Sequence, residues 1–167
     1  MAGSTHAAFR TQLIIPEHRQ LYDYWIDKAA GRRMPERRDI SPLHFPRLLP
    51  FVSLIEIGAG RYRVRLAGTR LREIYDCETT GLYLDELDWG EKREYWLAAY
   101  RHIFEAGKPT QGVVRGPRVQ KEHLVQYWLK LPLSVDGRAC GMILCYDAFL
   151  PATDMAEHNA EMQAISA

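Results

Sequence analysis

Three cysteines in 167 residues are too few for a disulfide framework, and Cys77, Cys140 and Cys145 stand at no metal-binding spacing. Charge of one sign is also lacking. Against 22 Lys plus Arg stand 21 Asp plus Glu, a formal net charge of +1. That excludes a broad basic surface, so no nucleic-acid partner is expected, although a local basic patch is not ruled out. No apolar run approaches the ~18 residues of a membrane-spanning helix. The first residues, Met1 to Phe9, lack the basic start and long apolar run of a secretory signal, so the expected location is cytoplasmic with no membrane partner. The chain has no internal repeat and no low-complexity stretch. It also lacks a Gly-x-Ser-x-Gly elbow, a glycine-rich phosphate loop, His-Glu-x-x-His and Cys-x-x-Cys, the usual marks of nucleophilic, phosphoryl-transfer and metal chemistry. No metal site is expected.

What is present is a globular composition, 47% hydrophobic and 11% aromatic, in a length that suits one domain. Residues 1–16 read as a flexible lead-in. Pro16 and Glu17 then open an amphipathic helix over 17–30, with Leu21, Tyr24, Trp25 and Lys28 at helical spacing and Gly31 at its end. The next twenty residues carry Arg32, Arg33, Arg37, Arg38 and Arg47 among four prolines. Glu36 and Asp39 are interleaved, so this stretch reads as a solvated connector and not as a phosphate patch.

Strand signals begin at Phe51. A run rich in strand formers to Ile57 is followed by Gly58-Ala59-Gly60, after which Arg61, Arg63 and Arg65 alternate with Tyr62, Val64 and Leu66. That period of two makes a hairpin with a half-buried second strand. Leu71 to Asp76 and the Tyr83 to Leu87 region suggest short helices. Glu91 to Ala106 is the clearest helix, with Trp96, Tyr100, Ile103 and Phe104 on one face and Gly107 closing it. Gln111 to Val119 is a weak strand. His123 to Leu133 is a long one, with Val125, Tyr127 and Leu129 facing one way and Gln126, Trp128 and Lys130 the other. Asp136-Gly137 is a turn signal, and Ala139 to Phe149 is apolar on both faces, as a central strand would be. The tail, 151–167, has Met155, Met162 and Ile165 in what reads as a marginal helix. Five strands in two groups with helices between them indicate an α+β domain, one antiparallel sheet with the middle helices on one face.

That element order, with these residues, resembles a PAS domain over about residues 17–150. Leu71-Arg72-Glu73-Ile74-Tyr75-Asp76-Cys77-Glu78-Thr79-Thr80-Gly81 is similar to the PAS stretch in which a small helix precedes a glycine. Three further segments resemble a bacterial branch of small stand-alone PAS proteins: His18-Arg19-Gln20-Leu21-Tyr22-Asp23-Tyr24-Trp25, Pro42-Leu43-His44-Phe45-Pro46-Arg47-Leu48-Leu49-Pro50 and Arg65-Leu66-Ala67-Gly68-Thr69-Arg70. The resemblance implies a five-stranded antiparallel sheet in the order 2-1-5-4-3 and a sensory or regulatory role, with the ligand space between the long helix and the sheet. It implies no catalysis and names no ligand. The short ends leave no room for an output domain, so a separate signalling protein is the expected partner.

The candidates follow. Trp96, Tyr100, Ile103 and Phe104, with Val125, Tyr127 and Leu129 opposite, would line either a ligand pocket or a filled core, since both have this composition. PAS relatives sometimes hold haem through a histidine on the long helix. His102 is on that helix, but off its main face, and reads as an ordinary surface histidine. Light-sensing flavin relatives carry a reactive cysteine just after the glycine that follows the small helix. Here Leu82-Tyr83-Leu84 follows Gly81, so a covalent flavin is not expected, and no cofactor is. Cys140 and Cys145 read as core packing. Asp147, paired with Tyr127 or Tyr100, would serve proton transfer in a small α+β cone enzyme, although its place near a strand end reads as exposed. Trp128, on the side away from the long helix, and Leu21, Trp25 and Ala29 predict that the N-terminal helix covers the outer sheet face or pairs there with a second copy as a homodimer.

Overall fold

The alternating segment after Phe51 forms a hairpin, β1 (Val52–Gly58) with β2 (Arg61–Ala67). Its turn is Ala59 and Gly60, with φ values of 51° and 74°, the two positive angles that match the twist of paired strands. The computed structural model describes residues 2–153. The expected helix around Met155, Met162 and Ile165 lies outside the described residues.

After β2 comes α3 (Thr69–Tyr75) and, beyond two 3-10 turns, the long helix α4 (Arg93–Ala106). Three strands complete the sheet: β3 (Thr110–Arg115), β4 (Leu124–Ser134) and β5 (Cys140–Pro151). The weak strand expected over 111–119 stops at Arg115, where Gly116 takes a φ of 60°. All pairings are antiparallel and the order is β2-β1-β5-β4-β3. The last strand therefore inserts beside the first, and the centre of the sheet is buried on both sides.

Two layers cover it. On the inner face lie α3 and α4. On the outer face lies α2 (Pro16–Ala29), where the Trp25 indole donates to the Pro132 carbonyl at 2.9 Å and the His18 ring stands edge-on to Tyr146 at 5.5 Å. Leu21, Tyr22, Trp25 and Ala29 are buried by this packing within a single chain. The outer-face placement of the helix matches expectation. The same packing leaves Leu21 and Trp25, at 0% exposure, no surface to offer a second copy.

The lead-in is a correction. Ala2–Gln12 forms a helix, α1, where a flexible segment was expected, and Leu13 behind it is fully buried. Its sequence has no strong apolar stripe; tertiary contacts hold it, among them Phe9 against Tyr22 at 5.0 Å and the paired bonds from Arg10 to Asp23. The connector between α2 and β1 folds into three 3-10 turns, Arg37–Asp39, Pro42–His44 and Leu49–Phe51. Gly68 is demanded where this connector meets the end of β2: a Cβ there would stand 2.2 Å from the Leu49 carbonyl oxygen. Among the described residues, no helix is long and apolar enough to cross a membrane.

Candidate functional site

Strand pairing decides which side chains look under α4. Trp128 sits opposite Asp147 and Gly112, and Lys130 opposite Cys145, which in turn faces Ser53. Trp128 donates from its indole to the Tyr95 hydroxyl on α4 at 2.9 Å. Gln126, Trp128, Lys130, Cys145 and Asp147 therefore form the inner face. Gly112 makes room for this: a Cβ there would lie 2.4 Å from the Trp128 ring.

Two expectations invert. Val125, Tyr127 and Leu129 do not face α4 but pack on the outer side, where Val125 and Tyr127 cluster with Ile15. Trp128 does not support α2 but lies in the aromatic core under α4. The polar set of β4 faces inward because α4 brings the partners for it. Trp96 is 6.2 Å from Trp128 and 5.7 Å from Trp89, ring to ring. Of the residues expected on α4, Trp96, Tyr100 and Ile103 are buried, while Phe104 is part exposed beside Tyr62 and His102 is exposed.

The centre of the inner face is a group of polar side chains inside this aromatic wall. Lys130 is 1% exposed, and its ammonium lies 4.2 Å from the Tyr100 ring centre, 4.9 Å from Trp128 and 5.3 Å from Trp96. Among the described residues its Nζ has no hydrogen-bond partner, nor does Gln126 Oε1. Gln126 Nε2 donates to Asp147 Oδ1 at 2.6 Å. Asp147 is buried, not exposed at its strand end as expected. Burial pushes its carboxyl above the ordinary carboxylate range, against the opposing pull of Lys130 and of the Gln126 bond. Burial also drives the Tyr75 and Tyr100 phenols well above 10 and raises the Cys145 thiol, which leaves that cysteine protonated and inert. Ser53, Tyr75, Thr79, Tyr100 and Asp147 are among the residues lining a hollow of about 20 Å³. Such a space takes about one water molecule.

Lys130, Gln126, Tyr75 and Trp89 were not singled out from the sequence. Lys130 carried one signal, the one charged residue at an interior position of a mostly apolar strand. Asp147 and Tyr100, named as an acid–phenol pair, do line one hollow, whereas Tyr127 lies across the sheet from them. A flavin does not fit these residues: the hollow is about 20 Å³, and the rings of Trp89, Trp96 and Trp128 with the Lys130 chain occupy the space under α4. Haem does not fit either, since His102 looks outward. Cys77, the thiol nearest the small helix, is exposed. Among the described residues, no group of three or more His, Cys, Asp or Glu side chains is placed to hold a metal ion.

Comparison with known proteins agrees with this architecture. A family model described as PAS domain matches residues 14–144. The light-oxygen-voltage (LOV) protein of Rhodobacter sphaeroides is similar in structure, at 17% identity and a TM-score of 0.51, over 72% of this chain and 74% of that one. A light-oxygen-voltage domain studied with a flavin analogue matches at 12% identity and a TM-score of 0.54, over 75% of this chain and 94% of that one. An RNA-binding light-oxygen-voltage receptor matches at 13% identity and a TM-score of 0.51, over 98% of this chain and 56% of that one. At such identities the likeness is one of fold. Comparison with curated proteins gives no match.

Proposed function

This chain belongs to the PAS domain family, and on that premise we propose that it is a sensory or regulatory module that binds a small molecule or a protein partner, performs no chemistry of its own and passes its signal to a separate protein. One observation carries the reading: a fully buried ammonium, Lys130, with no hydrogen-bond partner among the described residues, beside a buried carboxyl, at the centre of the inner face. Burying an ammonium costs several kcal/mol. Three aromatic faces recover part of that, at about 0.5–2 kcal/mol each. A core that needed only stability would use methionine at this place. A module that responds to a small molecule has a reason to keep an unfilled donor and an unfilled acceptor, Lys130 Nζ and Gln126 Oε1, in one cluster.

The inward carboxyl of Asp147 with Tyr100 also keeps the proton-transfer reading in view. The hollow they share takes about one water, and that limit applies equally to a substrate and to a regulatory ligand. Native mass spectrometry of freshly purified protein, followed by thermal shift against a panel of small oxyanions and carbonyl compounds, tests the regulatory reading. A retained or stabilising compound is expected for the natural chain and not for a folded Lys130→Met variant. The same behaviour in both proteins overturns the assignment to Lys130.

A further inference from the structure

Across the sheet from Lys130 is a larger hollow that the inner-face reading does not use. The 3-10 turns of the connector arch over β1 and β2 and leave a cavity of about 260 Å³. Its floor is apolar and deep: Val52, Leu54, Leu144, Ile40 and Phe45 are all buried. Leu66, on its wall, is 47% exposed. Pro42, Leu49 and Leu66 also border an adjoining hollow of about 340 Å³, so the apolar trough runs on toward the end of β2.

Its charge is of one sign. Arg37 and Arg65 are the charged residues in the lining of the cavity. Arg65 is brought to this side by a register shift between Leu54 and Ile55: Leu54 pairs Leu66 and Ile55 pairs Val64, so Arg65 is the extra residue of a bulge. The nearest acid to Arg65, Glu56, stands 3.9 Å away and is shared with Arg63 at 3.4 Å. Among the described residues Arg37 has no acidic partner, its Nη1 donating to the Ile40 carbonyl at 3.1 Å. Two guanidiniums at an apolar trough, Arg37 without an acidic partner among the described residues and Arg65 sharing Glu56 with Arg63, complement an anion that carries a hydrocarbon chain.

We propose that this outer trough is a second binding site, for a free medium-chain carboxylate, with the chain on Leu54, Phe45 and Leu144 and the carboxylate between Arg37 and Arg65. The cavity, about 260 Å³, has room for a hydrocarbon chain of medium length, and octanoate is its probe. The site is independent of Lys130 and stands or falls apart from the inner-face reading.

Isothermal titration of the full chain with sodium octanoate, 1-octanol and octyltrimethylammonium tests it. Octanoate binds best, and hexanoate binds about 15-fold more weakly, at about fourfold per buried methylene. Arg37→Gln with Arg65→Gln weakens octanoate about tenfold or more and leaves octanol nearly unchanged. Leu66→Trp, at a half-exposed position that tolerates bulk, fills the trough and abolishes both. Equal binding of the cationic amphiphile, or indifference to both arginine changes, overturns the proposal. So does loss of octanoate binding in Lys130→Met but not in the trough variants, which would place the carboxylate on the inner face. A dimer dissociated by Leu66→Asp would assign the trough to a second copy, and capture by phosphatidylglycerol vesicles would assign it to a membrane; either result overturns it.

Discussion

The two faces of one strand differ more than any other two regions of this molecule. On the outer side of β4, Val125, Leu129, Leu131 and Leu133 are fully buried under apolar cover that includes Leu21 and Trp25 of α2. On the inner side the same strand presents Gln126, Trp128 and Lys130 to an aromatic wall. The outer contact is hydrophobic and nearly complete, so it serves stability. The inner contact holds an ammonium, an amide and a carboxyl away from water, and stability alone does not explain that. On the proposed reading, such a contrast separates the part of the domain that holds it together from the part that responds.

The largest effect should come from breaking the outer face. Trp25→Ala removes a fully buried indole and its bond to Pro132. It should cost about 4 kcal/mol in a urea titration. A loss below about 1 kcal/mol would mean that α2 is an appendage and not part of the core.

Acid should attack the same layer next. Burial holds the His18 imidazole down at about 4 from an ordinary 6.5. The folded state refuses a proton that the unfolded chain accepts below 6.5, so stability falls as pH drops from 6.5 toward 4, by about 3 kcal/mol in all. Denaturation midpoints of the natural chain and His18→Phe, compared at pH 7 and pH 4.5, measure it. Parallel losses in both proteins would clear His18 of the effect.

The inner face should answer in the opposite direction. Lys130→Met combined with Asp147→Asn removes both buried ionisable groups and should raise stability by about 2 kcal/mol, while abolishing small-molecule stabilisation. Destabilisation by the pair would recast the two residues as a structural ion pair. Smallest of the set, Gly112→Ala should cost about 1 kcal/mol by pushing a methyl group into the Trp128 ring. Near-ultraviolet circular dichroism should show the altered tryptophan environment, and an unchanged spectrum would contradict the close approach.

Much of the fold was legible in local pattern. The alternation of Arg61 to Leu66, the turn at Ala59-Gly60 and the stripe on α4 each state their structure within a few residues, because local hydrogen bonding and one buried face set them. Helix α1 was not legible, since what orders it is contact with α2 distant in sequence. Of the candidate site, Trp96 and Tyr100 were read on the buried face of α4, whereas Asp147 was named but read as exposed. Lys130 and Gln126 were assigned to the wrong side, because a polar residue on an alternating strand ordinarily marks the solvent face.

By itself, then, the sequence determined the main elements from α2 to β5, their order and the family, and for β4 it determined two sets of side chains pointing in opposite directions. A period of two divides a strand's residues but does not say which half meets which helix. Only the tertiary structure decided that, by laying α2 over the apolar half and α4 over the half with Lys130. With both faces covered there is no solvent side to orient the strand, and the choice rests on which packing supplies partners. α4 sets the Trp96 and Tyr100 rings around the ammonium, whereas α2 lays Leu21 and Trp25 on the apolar half.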